Sequence, residues 1–245
     1  MAREVDPQAF AWQLQQATPR TWVTPAIIAV NVLVWLANLA TGMSPLTPRA
    51  QELLVWGANF LPLTIQQPWR LLAATVLHGG VVHLGFNMWA LWNTGRVAER
   101  FYGNLQLLLI YLVSGVCGSV ASLFFAARAG VSVGASGAIF GVVGCLLAAL
   151  FTKAHQLPTA LVAAMRPSMV MFVGYSLVMG FAAGFIDNAA HVGGLAAGFL
   201  MGTVMAEKFD ADEFRRQALV RAALATAGAA AALLAAWKLL PSAAA

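Results

Sequence analysis

Charged side chains are scarce in this chain. They make up 9% of its 245 residues, while 60% are hydrophobic; a soluble domain carries about 25% charged residues. Mean hydropathy is +0.77. A soluble fold of this length would lack the polar surface to cover its core, which excludes an ordinary soluble enzyme. Disorder is excluded as well, because it needs low hydrophobicity and high net charge. Acid is scarcer than base, with nine Asp+Glu against 14 Lys+Arg and a net charge of +5. The basic residues are scattered, with no run longer than Arg215-Arg216, which argues against a nucleic-acid partner. There are two cysteines, Cys117 and Cys145, both in apolar runs and without metal-ligand spacing. They read as small buried apolar residues.

What the chain has instead is long apolar runs. A bilayer core takes ~20 apolar residues of helix. Seven stretches approach that, at 24–42, 74–95, 105–126, 134–152, 168–186, 189–206 and 222–237. The last is short and Ala-rich, and is also readable as an interfacial tail. None shows the strict alternation of a membrane β-barrel strand. The first twenty residues include Glu4 and Asp6, and no small-residue cleavage site follows the first apolar run, so no removable leader is expected. The fold class predicted is an all-α polytopic membrane protein. Residues 1–22 form a cytoplasmic tail, 23–206 a six-helix bundle, and 207–245 a charged connector with a seventh span. All 23 charged residues (14 basic and nine acidic) fall outside the spans as drawn.

Orientation follows from Lys and Arg. With the N-terminus inside, the inner segments hold Arg3, Arg20, Arg96, Arg100, Lys153, Arg166, Lys208, Arg215, Arg216 and Arg221. The outer ones hold Arg49, Arg70, Arg128 and Lys238. Ten against four satisfies the positive-inside rule. The connector 43–73 is too long for a turn, and its Trp56, Phe60 and Trp69 suit the headgroup level.

Polar residues inside spans are costly and therefore informative. The second span carries His78, His83 and Asn87, the fourth Ser136, and the sixth His191. These three spans run in the same direction, so His83, Ser136 and His191 share the outer half of the membrane. Ser136 is a candidate nucleophile and His191 a candidate base. His83 and Asn87, four apart on one helix face, are candidate donors to an oxyanion, with the Ser136 backbone N–H as another. Each residue alone is also readable as helix-to-helix glue. A metal site is disfavoured, because His78 and His83 are five apart, about 140° around a helix, with no Asp, Glu or Cys beside them. Gly137 and Gly141 in the fourth span, and Gly194, Gly198 and Gly202 in the sixth, recur every four residues. Such spacing lets two helices approach closely and would bring Ser136 to His191. Gly134-Ala135-Ser136-Gly137 is not the soluble hydrolase elbow, which places Gly two residues after Ser; Ala138 stands there. Asp187, expected in an outer loop, makes a triad less economical than a dyad.

Taken together, these motifs resemble the rhomboid intramembrane serine proteases over residues 24–206. Trp69-Arg70 resembles the family's loop motif, and His78 followed by His83-Leu-Gly-Phe-Asn87 its second-helix pattern. Gly95-x-x-x-Glu99 with Gly103, Gly134-Ala-Ser136-Gly137 and Ala190-His191-Val-Gly-Gly194-x-x-x-Gly198 resemble the other three. The resemblance implies a Ser136/His191 catalytic dyad and an oxyanion site of His83, Asn87 and the Ser136 backbone. It implies supporting roles for His78, Gly134, Gly137, Phe140, Gly194, Gly198, Trp69 and Arg70. It also implies a cavity open to the outer side and an endopeptidase that cleaves transmembrane protein substrates in or near their helices. Membrane lipid is the other expected partner, and no cofactor or metal is called for. Phe140 departs from the pattern, since many relatives carry Tyr there to pack on the histidine; the ring is kept and the hydroxyl lost.

Two further readings stand beside this one. One is an inactive rhomboid-like membrane chaperone or retention factor, which would not need the intact dyad. The other is a small transporter, which would need ionisable residues through both halves of the bilayer. Trp69 and Arg70 are expected to anchor the outer loop, and Glu99 with Arg100 to tie the inner connector together. A compact Ala-rich chain suits a bacterial inner membrane.

Overall fold

The computed structural model describes residues 4–125, 130–183 and 186–240. Arg3, Arg128, the expected span ends at 126 and 184–185, and residues 241–245 lie outside them. Eleven helices follow in order: α1 (Pro7–Ala17), α2 (Val23–Ala40), α3 (Ala50–Val55), α4 (Leu61–Thr64), α5 (Arg70–Ala73), α6 (Val81–Tyr102), α7 (Asn104–Phe125), α8 (Ser136–Thr152), α9 (Thr159–Ala183), α10 (Asn188–Val204) and α11 (Ala211–Leu239). α2, α7, α9 and α11 are long and apolar enough to cross a bilayer, and α5 with α6 makes a fifth candidate bent by 91°. α8 and α10 have 17 residues each, about 25 Å at 1.5 Å per residue.

α8 is the axis of the bundle, with every residue from Gly137 to Leu150 buried. Its neighbours are held by missing side chains. A Cβ on Gly194 of α10 would strike the carbonyl oxygen of Gly137, and one on Gly198 that of Gly141. A Cβ on Gly141 would strike Ser114 of α7, and one on Gly118 of α7 would sit 2.7 Å from the carbonyl oxygen of Ala190. α7, α8 and α10 therefore meet backbone against backbone. In lipid, where apolar side chains gain nothing by leaving the solvent for one another, such close packing supplies the association energy.

Several elements depart from the sequence-based boundaries, each for a local reason. The second span, expected at 74–95, is broken. Gly80 adopts φ +118°, with the carbonyl oxygen of Leu46 where a Cβ would be. Val81 N–H then donates to Pro45 (2.8 Å), and α6 runs on to Gly103, at φ +80°. α9 starts at Thr159, ahead of the expected 168, and takes Pro167 into its interior. The Arg166 guanidinium reaches back to the carbonyl of Leu150 near the end of α8, a favourable place for a cation. α11 is capped by Asp210, whose side chain accepts from the N–H of Glu213 (3.0 Å), and so takes in most of the charged connector from Ala211 on. The N-terminal tail contains α1, capped by Asp6 and started by Pro7. Its Phe10 packs on Phe101 and Phe209, with ring centroids 6.2 and 5.9 Å away.

Glu99 and Arg100 do not pair. The Glu99 carboxylate is fully buried and accepts from Val23 N–H (2.7 Å), Thr24 N–H (3.1 Å) and Thr24 Oγ1 (2.7 Å). It thus caps α2 from α6, an anion on a helix N-terminus. Arg100 instead donates to the carbonyl of Thr18 (2.7 Å).

Glu207, after α10, is buried, with Lys153 Nζ 3.9 Å away and no hydrogen bond to either carboxylate oxygen. Burial outweighs Lys153 and raises its pKa to about 7. The fold therefore binds this proton more tightly than the unfolded chain does. The contribution of Glu207 to stability should be fully present below pH ~4.5 and be lost as pH rises through ~7. Glu207→Gln is expected to flatten that slope in detergent melting curves. At the helix seam, Gly198→Ala should destabilise by about 1–3 kcal/mol through overpacking. Gly174→Ala, with nothing within 4 Å of the new Cβ, should be neutral or stabilising in the same measurement.

Candidate active site

The site begins with an extended segment, 130–135, that delivers the chain into α8. Ser132 forms an isolated antiparallel bridge with Asn59, exchanging N–H to carbonyl bonds of 2.8 and 3.0 Å. Asn59 is held in turn by Thr64, whose Oγ1 donates to it (2.9 Å), and it donates to the carbonyl of Ser119 (2.8 Å). Gly134 N–H donates to Ala74 (2.9 Å), and at φ +135° it turns the chain into the helix. Ser136 is then the first residue of α8.

Gly134 also makes room. At the position of its absent Cβ, Cε1 and Nε2 of His83 lie 2.8 and 2.9 Å away and Ser136 Oγ 3.6 Å away. His83 stands in the first turn of α6 and accepts at Nδ1 from the N–H of Gly79 (3.2 Å). A neutral imidazole with Nδ1 accepting carries its proton on Nε2. The nitrogen facing Gly134 is therefore the donor. Asn87, one turn on and buried, donates to the His83 carbonyl (2.9 Å). His78 is buried with its ring centroid 5.2 Å from that of His83, and neither of its nitrogens has a partner.

His191 lies in the first turn of α10. Its ring stacks on Phe140, centroids 4.1 Å apart and planes within 9°. Phe140 is one turn after Ser136, so the nucleophile candidate and the ring support come from one helix. Gly137 and Ala190, the chain neighbours of Ser136 and His191, also touch: a Gly137 Cβ would lie 3.2 Å from the Ala190 carbonyl oxygen. Nδ1 of His191 is buried and free of any partner. Ser136 and His191 thus stand at adjoining helix ends, and no hydrogen bond joins them in this conformation.

Asp187 sits at the N-cap of α10. Its Oδ1 accepts from Ala190 N–H (2.9 Å), and its Oδ2 from Ser122 of α7 (2.5 Å) and Ser132 (2.6 Å). One carboxylate thus ties the helix of His191 to the segment leading to Ser136. An Asp just before an apolar helical run is a readable N-cap signal; its two hydroxyl partners carry none. Trp69, Arg70 and Gly198 lie outside the cluster. Arg70 is buried, donating to the carbonyls of Leu54 (2.8 Å) and Ala58 (3.2 Å) and to Gln67 Oε1 (2.9 Å). Trp69 packs on Gly57, with the Arg70 guanidinium 5.0 Å from its ring centroid. This pair fixes the loop that presents Asn59.

Comparison with known proteins gives the family of the chain. Residues 65–208 match the Rhomboid domain, more than half of the chain. The chain belongs to the rhomboid family. Rhomboid protease GluP of Bacillus subtilis is 40% identical over 178 residues, covering 72% of this chain and 33% of that protein. RHOMBOID-like protein 4 of Arabidopsis thaliana is 43% identical over 210 residues, 75% of this chain and 52% of that one. RHOMBOID-like protein 7 of the same plant is 31% identical over 240 residues, 83% and 74%. The chain thus spans a third of the length of the first relative and about half of the second. This rhomboid chain is an integral multi-pass membrane protein, and its Ser136, His191, His83 and Asn87 all fall inside the matched region.

Asp187→Ala should lower the melting temperature in detergent, with the lost helix cap alone worth about 1 kcal/mol. Asp187→Asn, an equally good cap, should recover the cap's share of the loss but not that of the Ser122 and Ser132 hydroxyls, for which its NH2 replaces the accepting oxygen.

Proposed function

We propose that this rhomboid chain is an intramembrane serine endopeptidase acting on transmembrane protein substrates. The observation that supports the reading is the placement of Ser136, His191 and His83 in the first turns of α8, α10 and α6, with Gly137 against Ala190 and His83 beside Gly134. Neutral His191 takes the Ser136 proton, and Oγ attacks a substrate carbonyl. The oxyanion forms against the Ser136 backbone N–H and the Nε2–H of His83. Asn87 adds its amide by leaving the His83 carbonyl. His191 then gives its proton to the leaving amine, and water releases the acyl-enzyme. Phe140 keeps the imidazole plane fixed throughout.

Water access is supported by the segment 130–135, since non-helical backbone at membrane depth survives only inside protein or beside a wet cavity. The charge count supports an N-terminus inside and a site opening outward, and the compact Ala-rich chain suits a bacterial inner membrane. The substrate must unwind locally, because a helical carbonyl is already hydrogen-bonded and shielded. On α6, Val82, Phe86 and Trp89 are exposed around Gly85, beside His83 and Asn87, and offer an apolar face to an arriving helix.

Cleavage of a single-span model substrate in liposomes tests this. Ser136→Ala and His191→Ala should each lower kcat by at least about a thousandfold. His83→Ala should lower it about a hundredfold, the worth of one oxyanion donor. Cleavage that survives Ser136→Ala would overturn the mechanism. A well-folded wild-type protein that neither cleaves nor takes a fluorophosphonate at Ser136 would favour the chaperone reading.

A further inference from the structure

A second cleft lies at the opposite end of α6 from His83. α1, the last turns of α6 and the start of α9 enclose about 530 Å³. Phe10, Leu14 and Leu161 contribute an apolar floor, and Trp92, Arg96 and Arg100 line one wall. These last three are spaced four apart and so share one face of α6. The Arg96 guanidinium lies 4.7 Å from the Trp92 ring centroid, which holds it at the cleft while it stays exposed to solvent. Arg100 uses Nη1 on the carbonyls of Thr18 (2.7 Å) and Gln15 (3.4 Å). Among the described residues, no acidic side chain lines the cleft. Glu99 is turned into the α2 cap, and Glu4 accepts from Thr159 Oγ1 (3.0 Å).

Two guanidinium groups without a counter-charge, above an apolar floor at the end of a membrane helix, match one kind of ligand. A free phosphate would leave the floor unused, and a neutral lipid would leave the charge unused. We propose that this cleft binds one anionic phospholipid of the inner leaflet, its phosphate on Arg96 and Arg100 and an acyl chain along Phe10, Leu14 and Leu161. The proposal uses the inward placement of this end of α6 and is independent of proteolysis. Bound lipid would bridge α1, α6 and α9.

Native mass spectrometry of the delipidated full chain in neutral detergent tests it, using phosphatidylglycerol and phosphatidylcholine of equal chain length. One phosphatidylglycerol should bind in preference to phosphatidylcholine. Arg96→Gln should weaken phosphatidylglycerol about fivefold, as expected for one basic side chain at an anionic headgroup, and phosphatidylcholine little. Arg96→Lys should retain most of the preference, and both variants should melt as the wild type does without lipid, since Arg96 is exposed. Equal binding of the two lipids would overturn the proposal, as would a preference untouched by Arg96→Gln. Displacement of phosphatidylglycerol by an equal concentration of inorganic phosphate would overturn it in favour of a free-anion site.

Discussion

Contact between the backbones of α7, α8 and α10 is the constraint from which the rest of this structure follows. Glycines at 118, 137, 141, 194 and 198 remove the side chains that would hold the three helices apart. What remains is peptide against peptide, the closest approach helices can make. Lipid tails are as apolar as leucine, so burying leucine between helices gains little there, whereas close packing does gain. The same contact brings Gly137 against Ala190, and so sets how far Ser136 lies from His191.

Around that seam the polar groups form one connected set. Asp187 joins α10, α7 and the 130–135 segment. Asn59 joins that segment to the long outer loop, and Arg70 holds the loop in place. At the other membrane face Glu99 caps α2 from within α6. Asp187, Asn59, Arg70 and Glu99 all find their partners across elements, which suits a medium where an unpartnered polar group costs several kcal/mol. Two carboxylates mark the limits of this rule. Glu99 receives three hydrogen bonds, while Glu207 receives none and has Lys153 at 3.9 Å.

Much of this was legible in the residues. The apolar runs announce helices, and the four-residue glycine spacing announces which two helices touch. Apart from scattered hydroxyls and Asn31, Asn38, Asn93 and Gln106, the polar residues left within the spans lie at or beside the N-terminal ends of α6, α8 and α10. Boundaries were less legible. A charge or a proline looks like a stop, yet Arg166 reaches the end of α8 and Pro167 sits inside α9. Glu99 and Arg100 look like neighbours that pair, yet helical geometry points them at different partners.

The sequence by itself determined that this chain lives in a membrane, that it is helical, and which serine and histidines are candidates for chemistry. Composition and period are enough for that, because bilayer thickness and helical repeat are fixed quantities. Only the tertiary structure decided what each polar group faces. Asp187 and Ser132 are 55 residues apart, and Glu99 and Val23 are 76 apart. No local pattern encodes such pairs. They exist because the glycine seam and the break at Gly79-Gly80 bring distant backbone to the same depth. The donor nitrogen of His83 was settled locally, by the backbone turn at Gly79-Gly80 that rests the Gly79 N–H on Nδ1.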